Sequence, residues 1–210
     1  AYWAMVDVID RQVGRLLEML EETGQRESTI VIFTSDHGEM LGDHGIYLKG
    51  PYFYEPAIRL PLMISGPGMR NDGQRSGALV ELMDLAPTFL EACGLEVHPG
   101  MQGRSLLPLL QGDADLDTHR EDVYCEYYNA MPWHEGPAAH ATMIRTERYK
   151  LVAAHGTGGG ELYDLEADEN ETQNFWGDPA YAGVQLELMR QLVDRMAWTV
   201  DPLPEREAKW

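Results

Sequence analysis

Positive charge is scarce in this 210-residue chain, where 16 Lys and Arg face 35 Asp and Glu for a formal balance of −19. Such a surface repels polyanions, which excludes nucleic acid and anionic membrane as expected partners. Any small anion must therefore be met by local positive charge against an unfavourable average field. Cysteine is nearly missing too. Cys93 and Cys125 stand in unrelated contexts without a Cys-x-x-Cys pair, so neither a disulfide framework nor a zinc site is indicated. No apolar run approaches the length of a transmembrane span. No signal peptide is visible, but the chain opens at Ala1 instead of methionine, which leaves the compartment open between cytoplasm and periplasm. Gly156-Thr-Gly-Gly-Gly160 lacks the Gly-Lys-Ser/Thr ending and strand-to-helix setting of a phosphate loop, so it reads as a hairpin loop.

What is present is ample material for a core, at 44% hydrophobic residues. The run Ile30-Val31-Ile32-Phe33 is continuous and β-branched, the pattern of a strand buried on both faces in a parallel sheet. Strands of that kind present ligands at their carboxyl ends. Immediately past this end stand Asp36 and His37, followed by Gly38, which permits a sharp turn. A carboxylate and a neutral imidazole are both good ligands for a divalent cation. Taken alone, an Asp-His pair is more simply a polar turn; the surrounding string changes that reading.

Thr34-Ser-Asp-His-Gly-Glu-Met-Leu-Gly-Asp-His-Gly45, with Lys49 thirteen residues after Asp36, resembles the second metal-binding segment of the sulfatase family within the alkaline phosphatase superfamily. The resemblance implies that Asp36 and His37 ligate one Ca²⁺ or Mg²⁺, with Mn²⁺ as a substitute, and that Lys49 contacts the sulfate of a small-molecule ester. A cation beside a lysine ammonium would form a compact positive site able to stabilise charge on an anion's oxygens. Glu39 and His44 match no ligand position of the family and are read as structural. His134 and His140 lie in or beside an irregular polar segment; His140 is carried as a candidate substrate contact, with an ordinary hydrogen-bonded histidine as the simpler reading.

Along the chain, Tyr2, Val6, Ile9, Val13, Leu16, Leu17 and Leu20 recur at helical spacing, and Gly24 is placed to end that helix. One helix leading into one strand is half of an α/β unit, so the chain is expected to begin within a domain. The sulfatase pattern agrees, through Tyr2, Asp10, Gly14 and Leu17. After the site string come an aromatic, proline-broken loop with a Glu55–Arg59 ion pair, a buried strand Leu60–Ile64, and the turn Gly66-Pro67-Gly68. Asp84 is read as a helix-start residue before Pro87, and the family carries a similar segment as scaffold. Met101–Gly112 is similar to the family's short closing helix, and 112–122 has the composition of a linker. Four short strands follow, at Val123–Tyr127, Ala141–Arg145, Tyr149–Val152 and Glu161–Asp164. A final helix, with Leu186, Met189, Leu192, Val193 and Met196 facing the sheet, completes a small antiparallel unit. Arg145-Thr-Glu-Arg-Tyr-Lys-Leu151 and Glu161–Asn170 resemble the sulfatase carboxy-terminal subdomain. The segment from Pro202 reads as a disordered tail.

The expected architecture is therefore α/β. Residues 1–115 form the carboxy-terminal portion of an alkaline-phosphatase-like α/β sandwich, and 116–210 a small α+β subdomain with an antiparallel sheet. The resemblance also implies a formylglycine nucleophile made from Cys or Ser in a Cys/Ser-x-Pro/Ala-x-Arg motif, whose hydrate attacks sulfur. Cys93-Gly-Leu-Glu-Val and Cys125-Glu-Tyr-Tyr-Asn do not fit it, and in Ser65-Gly-Pro-Gly-Met69 the arginine comes one place late, at Arg70. The early strand with the family's first paired aspartates is likewise absent, so the resemblance covers only the carboxy-terminal part of a sulfatase. Three functions follow: a sulfate-ester hydrolase, incomplete and inactive as this chain alone; a phosphonate monoester or phosphodiester hydrolase of the same superfamily; or a non-catalytic association module. Apolar surface on the first helix and strand makes a homo-oligomer the expected state of the isolated chain.

Overall fold

A computed structural model describes residues 2–70, 73–128 and 139–199. His134 and the segment from Pro202 lie outside the described residues.

Helix α1 (Tyr2–Glu22) ends in a Schellman turn: Gly24, at φ +67°, donates to the Glu21 carbonyl and Gln25 to that of Leu20, so glycine acts as the expected cap. The helix carries no buried residue. Its main contact among the described elements is with the turn that follows it.

Strand β1 (Val31–Thr34) pairs with β2 (Leu62–Ser65) in antiparallel register, Ile32 opposite Ile64. The pairing of this run within the described residues is thus antiparallel where a parallel one was expected, and its residues are half-buried. A β-branched run reports an affinity for apolar surroundings, whereas the direction of pairing is set by the path of the connection. Here that path is residues 35–61, which include the single-turn helix α2 (Glu55–Ile58) and bring the chain back along β1.

Helices α3 (Leu85–Ala92) and α4 (Leu107–Gln111) pack together over a polar hub at Asp84. Asp84 is fully buried and closes a capping box with Glu81. It also accepts the Arg104 amide at 2.7 Å and the Arg120 guanidinium. Asp84 is therefore a structural helix-start residue, as expected. The stretch 112–122 is not a free linker, because Arg120 within it is buried against Asp84 and Glu81. Its small polar composition reflects tight turns, which such residues serve as well as they serve solvated linkers.

The second half is a four-stranded antiparallel meander: β3 (Asp122–Tyr128), β4 (His140–Thr146), β5 (Tyr149–Ala154) and β6 (Gly159–Asp164), in that spatial order. The glycine-rich segment is the β5–β6 hairpin loop, as expected. Alternation along the strands sorts side chains to two faces. Tyr124, Ile144, Leu151, Ala153 and Leu162 meet Leu188 and Leu192 of α5 (Ala182–Trp198). On the other face Ala141, Met143 and Val152 receive Phe53, from just ahead of α2, with Ile58 and Cys125 packed around them. Fully burying a side chain of the Leu188 class removes on the order of 2 kcal/mol of apolar exposure. The inward stripe of α5 matches expectation at Met189, Leu192 and Met196 but not at Leu186 and Val193, which are 73% and 58% exposed. The helix has apolar residues on more than one face, and Leu188 with Leu192 wins the contact. Among the described residues no helix is long and apolar enough to cross a membrane.

Candidate functional site

Strand β1 ends at Thr34, and the chain turns at once through Ser35, Asp36, His37 and Gly38. The turn holds itself. Ser35 donates its hydroxyl to the His37 carbonyl at 2.8 Å, and the His37 amide donates to Asp36 Oδ1 at 3.0 Å. That amide first, and then the His37 imidazole, keep the Asp36 carboxyl below the usual aspartate range. Asp36 therefore stays an open, ionised carboxylate, with its side chain 85% exposed.

His37 Nδ1 lies 2.8 Å from the Gly38 carbonyl oxygen. A carbonyl can only accept, so Nδ1 carries the hydrogen and the lone pair of a neutral ring is left on Nε2. Nε2 sits 3.7 Å from Asp36 Oδ2. The turn thus presents one carboxylate oxygen and one imidazole nitrogen side by side and open to solvent. In kind, this donor pair fits a divalent cation that accepts oxygen and nitrogen. In number the pair is too few to hold a cation alone, and the described residues contain no group of three or more His, Cys, Asp or Glu placed to hold a metal.

The segment after Gly38 returns toward its start. Glu39 accepts the Leu41 and Leu48 amides, and the Met40 amide donates to the Leu48 carbonyl at 3.0 Å. Glu39 is the structural residue expected. Leu48, at φ +69°, is bound to the strand exit through these contacts, and this brings the backbone of exposed Lys49 back beside residues 39–40. His44 stacks on Tyr54 with ring centroids 3.8 Å apart, which accounts for it as scaffold. His140 opens β4, exposed and edge-on to Tyr128, with its carbonyl accepting the His155 amide. The local hydrogen bonds tie Asp36 and His37 into one turn and hold Leu48, the neighbour of Lys49, against Glu39 and Met40; those of His140 belong to the other sheet.

Gly38 and Glu39 are also bound from outside. Their amides donate to the carbonyls of Ala57 at 2.8 Å and Pro56 at 3.1 Å, so α2 forms the wall behind the site. The expected Glu55–Arg59 ion pair is replaced by others. Glu55 pairs with Lys150 at 2.7 Å and with Arg145 at 3.1 Å, because β5 and β4 present those cations to α2, while Arg59 acts on it only at longer range. Burial pushes the Glu55 carboxyl up, but Lys150 and then Arg145 outweigh it, and the group titrates below the usual glutamate range. Lys150 and its second partner, Glu171, were missed in the sequence. A lysine between Tyr149 and Leu151 reads as a solvent-facing strand position, and nothing local marks it as buried.

The fold is α/β, and comparison with known proteins places the chain among the sulfatases of the alkaline phosphatase superfamily. Residues 42–197 match the family described as N-sulphoglucosamine sulphohydrolase, C-terminal, and the chain belongs to that family. It is similar to the N-acetylglucosamine-6-O-sulfatase of Bacteroides thetaiotaomicron, 36% identical across 98% of this chain but only 37% of that protein. A structure solved in complex with its substrate D-glucosamine-2-N,6-O-disulfate superposes with a TM-score of 0.84 at 35% identity, over 94% of this chain and 40% of the other. The phosphonate monoester hydrolase of Agrobacterium radiobacter gives a TM-score of 0.86 at 31% identity, over 95% and 41%. The chain therefore spans a little over a third of the length of the curated relative that it matches.

Proposed function

We propose that this chain is the carboxy-terminal part of a divalent-cation-dependent sulfate-ester hydrolase, in which Asp36 and His37 are two of the metal ligands and Lys49 contacts the sulfate. The observation that carries the reading is the side-by-side pair of Asp36 and His37, with Nδ1 of the ring committed to the Gly38 carbonyl and Nε2 left as donor. Family membership supports the reaction class. The cation, Ca²⁺ or Mg²⁺ in this reading, would supply positive charge at the site of the anion. Within this chain Asp36 and His37 hold that charge in place. Lys49 supplies a second, mobile positive charge that orients one sulfate oxygen and meets the charge growing on it. Nucleophilic attack belongs to a formylglycine encoded elsewhere in the full-length protein, so the 210-residue chain alone is expected to release no leaving group from an aryl sulfate. The leaving group is an alcohol carried by a small molecule, for which a sulfated amino sugar is the first candidate by likeness to the glucosamine disulfate complex.

In the full-length enzyme, Asp36→Ala is expected to remove bound metal and turnover together, and His37→Ala to act in the same direction less completely, since water can occupy the vacated position. Metal content measured by atomic emission decides it: a full complement in Asp36→Ala overturns the ligand assignment.

A phosphonate or phosphate ester is the second reading, favoured by the close superposition on a phosphonate monoester hydrolase. Comparing kcat/KM for aryl sulfate and aryl phosphonate esters of the same phenol separates the two.

A further inference from the structure

We propose that Lys150 is a positioning residue for the Asp36–His37–Lys49 site, acting through Glu55 and the backbone of α2; the inference rests on the metal reading of that site. Lys150 is completely buried, on the face of β5 shared with Val152. Its ammonium has three hydrogens and three acceptors: the Phe53 carbonyl at 2.9 Å, Glu55 Oε1 at 2.7 Å and Glu171 Oε1 at 2.6 Å. The other oxygen of Glu171 accepts the Glu55 amide at 2.7 Å. Two side chains of the small sheet unit thus grip residues 53–55 by one carbonyl, one amide and one carboxylate. Arg145 on Glu55 brings the cluster to two cations and two anions.

From there the connection to the site is backbone only. Glu55 opens α2, and the next two carbonyls, of Pro56 and Ala57, receive the amides of Glu39 and Gly38. Those amides adjoin His37. A β-carbon on Gly38 would stand 1.9 Å from the Pro56 oxygen, so α2 is pressed directly against the turn and any shift of one displaces the other. On the far side, Lys49 lies four residues before Phe53, whose carbonyl Lys150 holds and whose ring fills the sheet face. The clamp therefore fixes both ends of the loop that carries the site. A buried ion cluster adds little stability over apolar side chains of equal volume, but it defines one geometry, and that is what a site shared between two segments requires.

The test uses Lys150→Met and the milder Glu171→Gln in the full-length enzyme, with hydrogen exchange of peptides covering 36–41 and with kcat/KM for an aryl sulfate. Expected are faster exchange at 36–41 with α3 and α5 unchanged, and a fall in kcat/KM of about 10- to 100-fold, the range for groups that orient metal ligands. A folded Lys150→Met with unaltered exchange at 36–41 and unaltered kcat/KM overturns the proposal. If Lys150→Met does not fold, Glu171→Gln decides by the same two readouts. Wild-type protein supplies a third: the amides of Gly38, Glu39 and Glu55 should open together, and independent opening counts against the link. The exchange measurements are made on metal-free protein, so they stand even if Asp36→Ala keeps its metal. Failure of the positioning role is thereby distinguished from failure of the ligand assignment.

Discussion

Gly38 and Pro56 stand so close that the glycine has no room for a side chain: an added β-carbon would meet the proline carbonyl oxygen at 1.9 Å. Gly38→Ala must therefore push α2 away from the turn or rotate the turn itself, and either movement breaks the paired amide bonds beside His37. The expected cost is about 1–3 kcal/mol in stability, the usual range for overpacking. Metal binding should weaken in the same variant. Thermal unfolding and metal titration check both, and a melting temperature and metal content equal to wild type would refute the contact.

Lys49→Ala in the full-length enzyme should lower kcat/KM by a factor corresponding to about 2–4 kcal/mol, as for loss of a donor aimed at developing charge. Metal content should stay whole, because in the proposed reading Lys49 serves the anion and Asp36 with His37 the cation. Loss of metal, or an unchanged kcat/KM, would each contradict the assignment.

Stability should fall on mild acidification through His119. Burial pushes its imidazole below the ordinary value, against the opposing pull of Asp84 at 3.3 Å. The folded state thus keeps His119 neutral where the unfolded state, titrating near roughly 6.5, has already bound a proton. Stability is complete above that value and declines as pH drops below it, at no more than about 1.4 kcal/mol per pH unit for one proton. His119→Gln should flatten this part of the profile. Denaturant unfolding of both proteins between pH 7.5 and 5.5, to be read as a difference in slope, tests it; parallel profiles would remove His119 from the account.

The two thiols should react at very different rates. Cys93 is exposed, whereas Cys125 faces the Phe53 cluster and burial pushes its thiol up to about 11. At pH 8 only about one Cys125 in a thousand would be thiolate, the reactive form. Iodoacetamide is expected to modify Cys93 quickly and Cys125 only after unfolding. Equal labelling of both peptides in a native sample would show that the β3–α2 contact opens freely.

How much of this could be read in the residues alone follows from how local each signal is. The four strands after residue 122 were legible because period-two alternation is written within each, and Gly24 because a helix cap needs only its own turn. The proposed site residues Asp36, His37 and Lys49 were named from one contiguous string, and the structure adds the turn that sets Asp36 beside His37. Lys150 was not, since its partners, Glu55 and Glu171, lie on other segments and only the packing of Phe53 onto the sheet brings them together. The antiparallel pairing of β1 was hidden for a related reason: composition records how buried a strand wishes to be, not which way its neighbour runs. On α5 the periodicity found Leu192, Met189 and Met196 but missed Leu188 and added Leu186 and Val193, because the helix is apolar around more than one face.

Strand β5 answers to two clients at once, its even positions 150 and 152 to the loop behind the site and its odd positions 151 and 153 to α5. Loss or gain of a single residue between Tyr149 and Ala154 would exchange the two sets, turning a lysine toward a hydrocarbon helix and a leucine toward a pair of carboxylates. A substitution in this strand disturbs one face at a time, whereas a change of length disturbs both. The β5–β6 hairpin loop at Gly156 to Gly158, outside that alternation, is where the chain is free to vary in length.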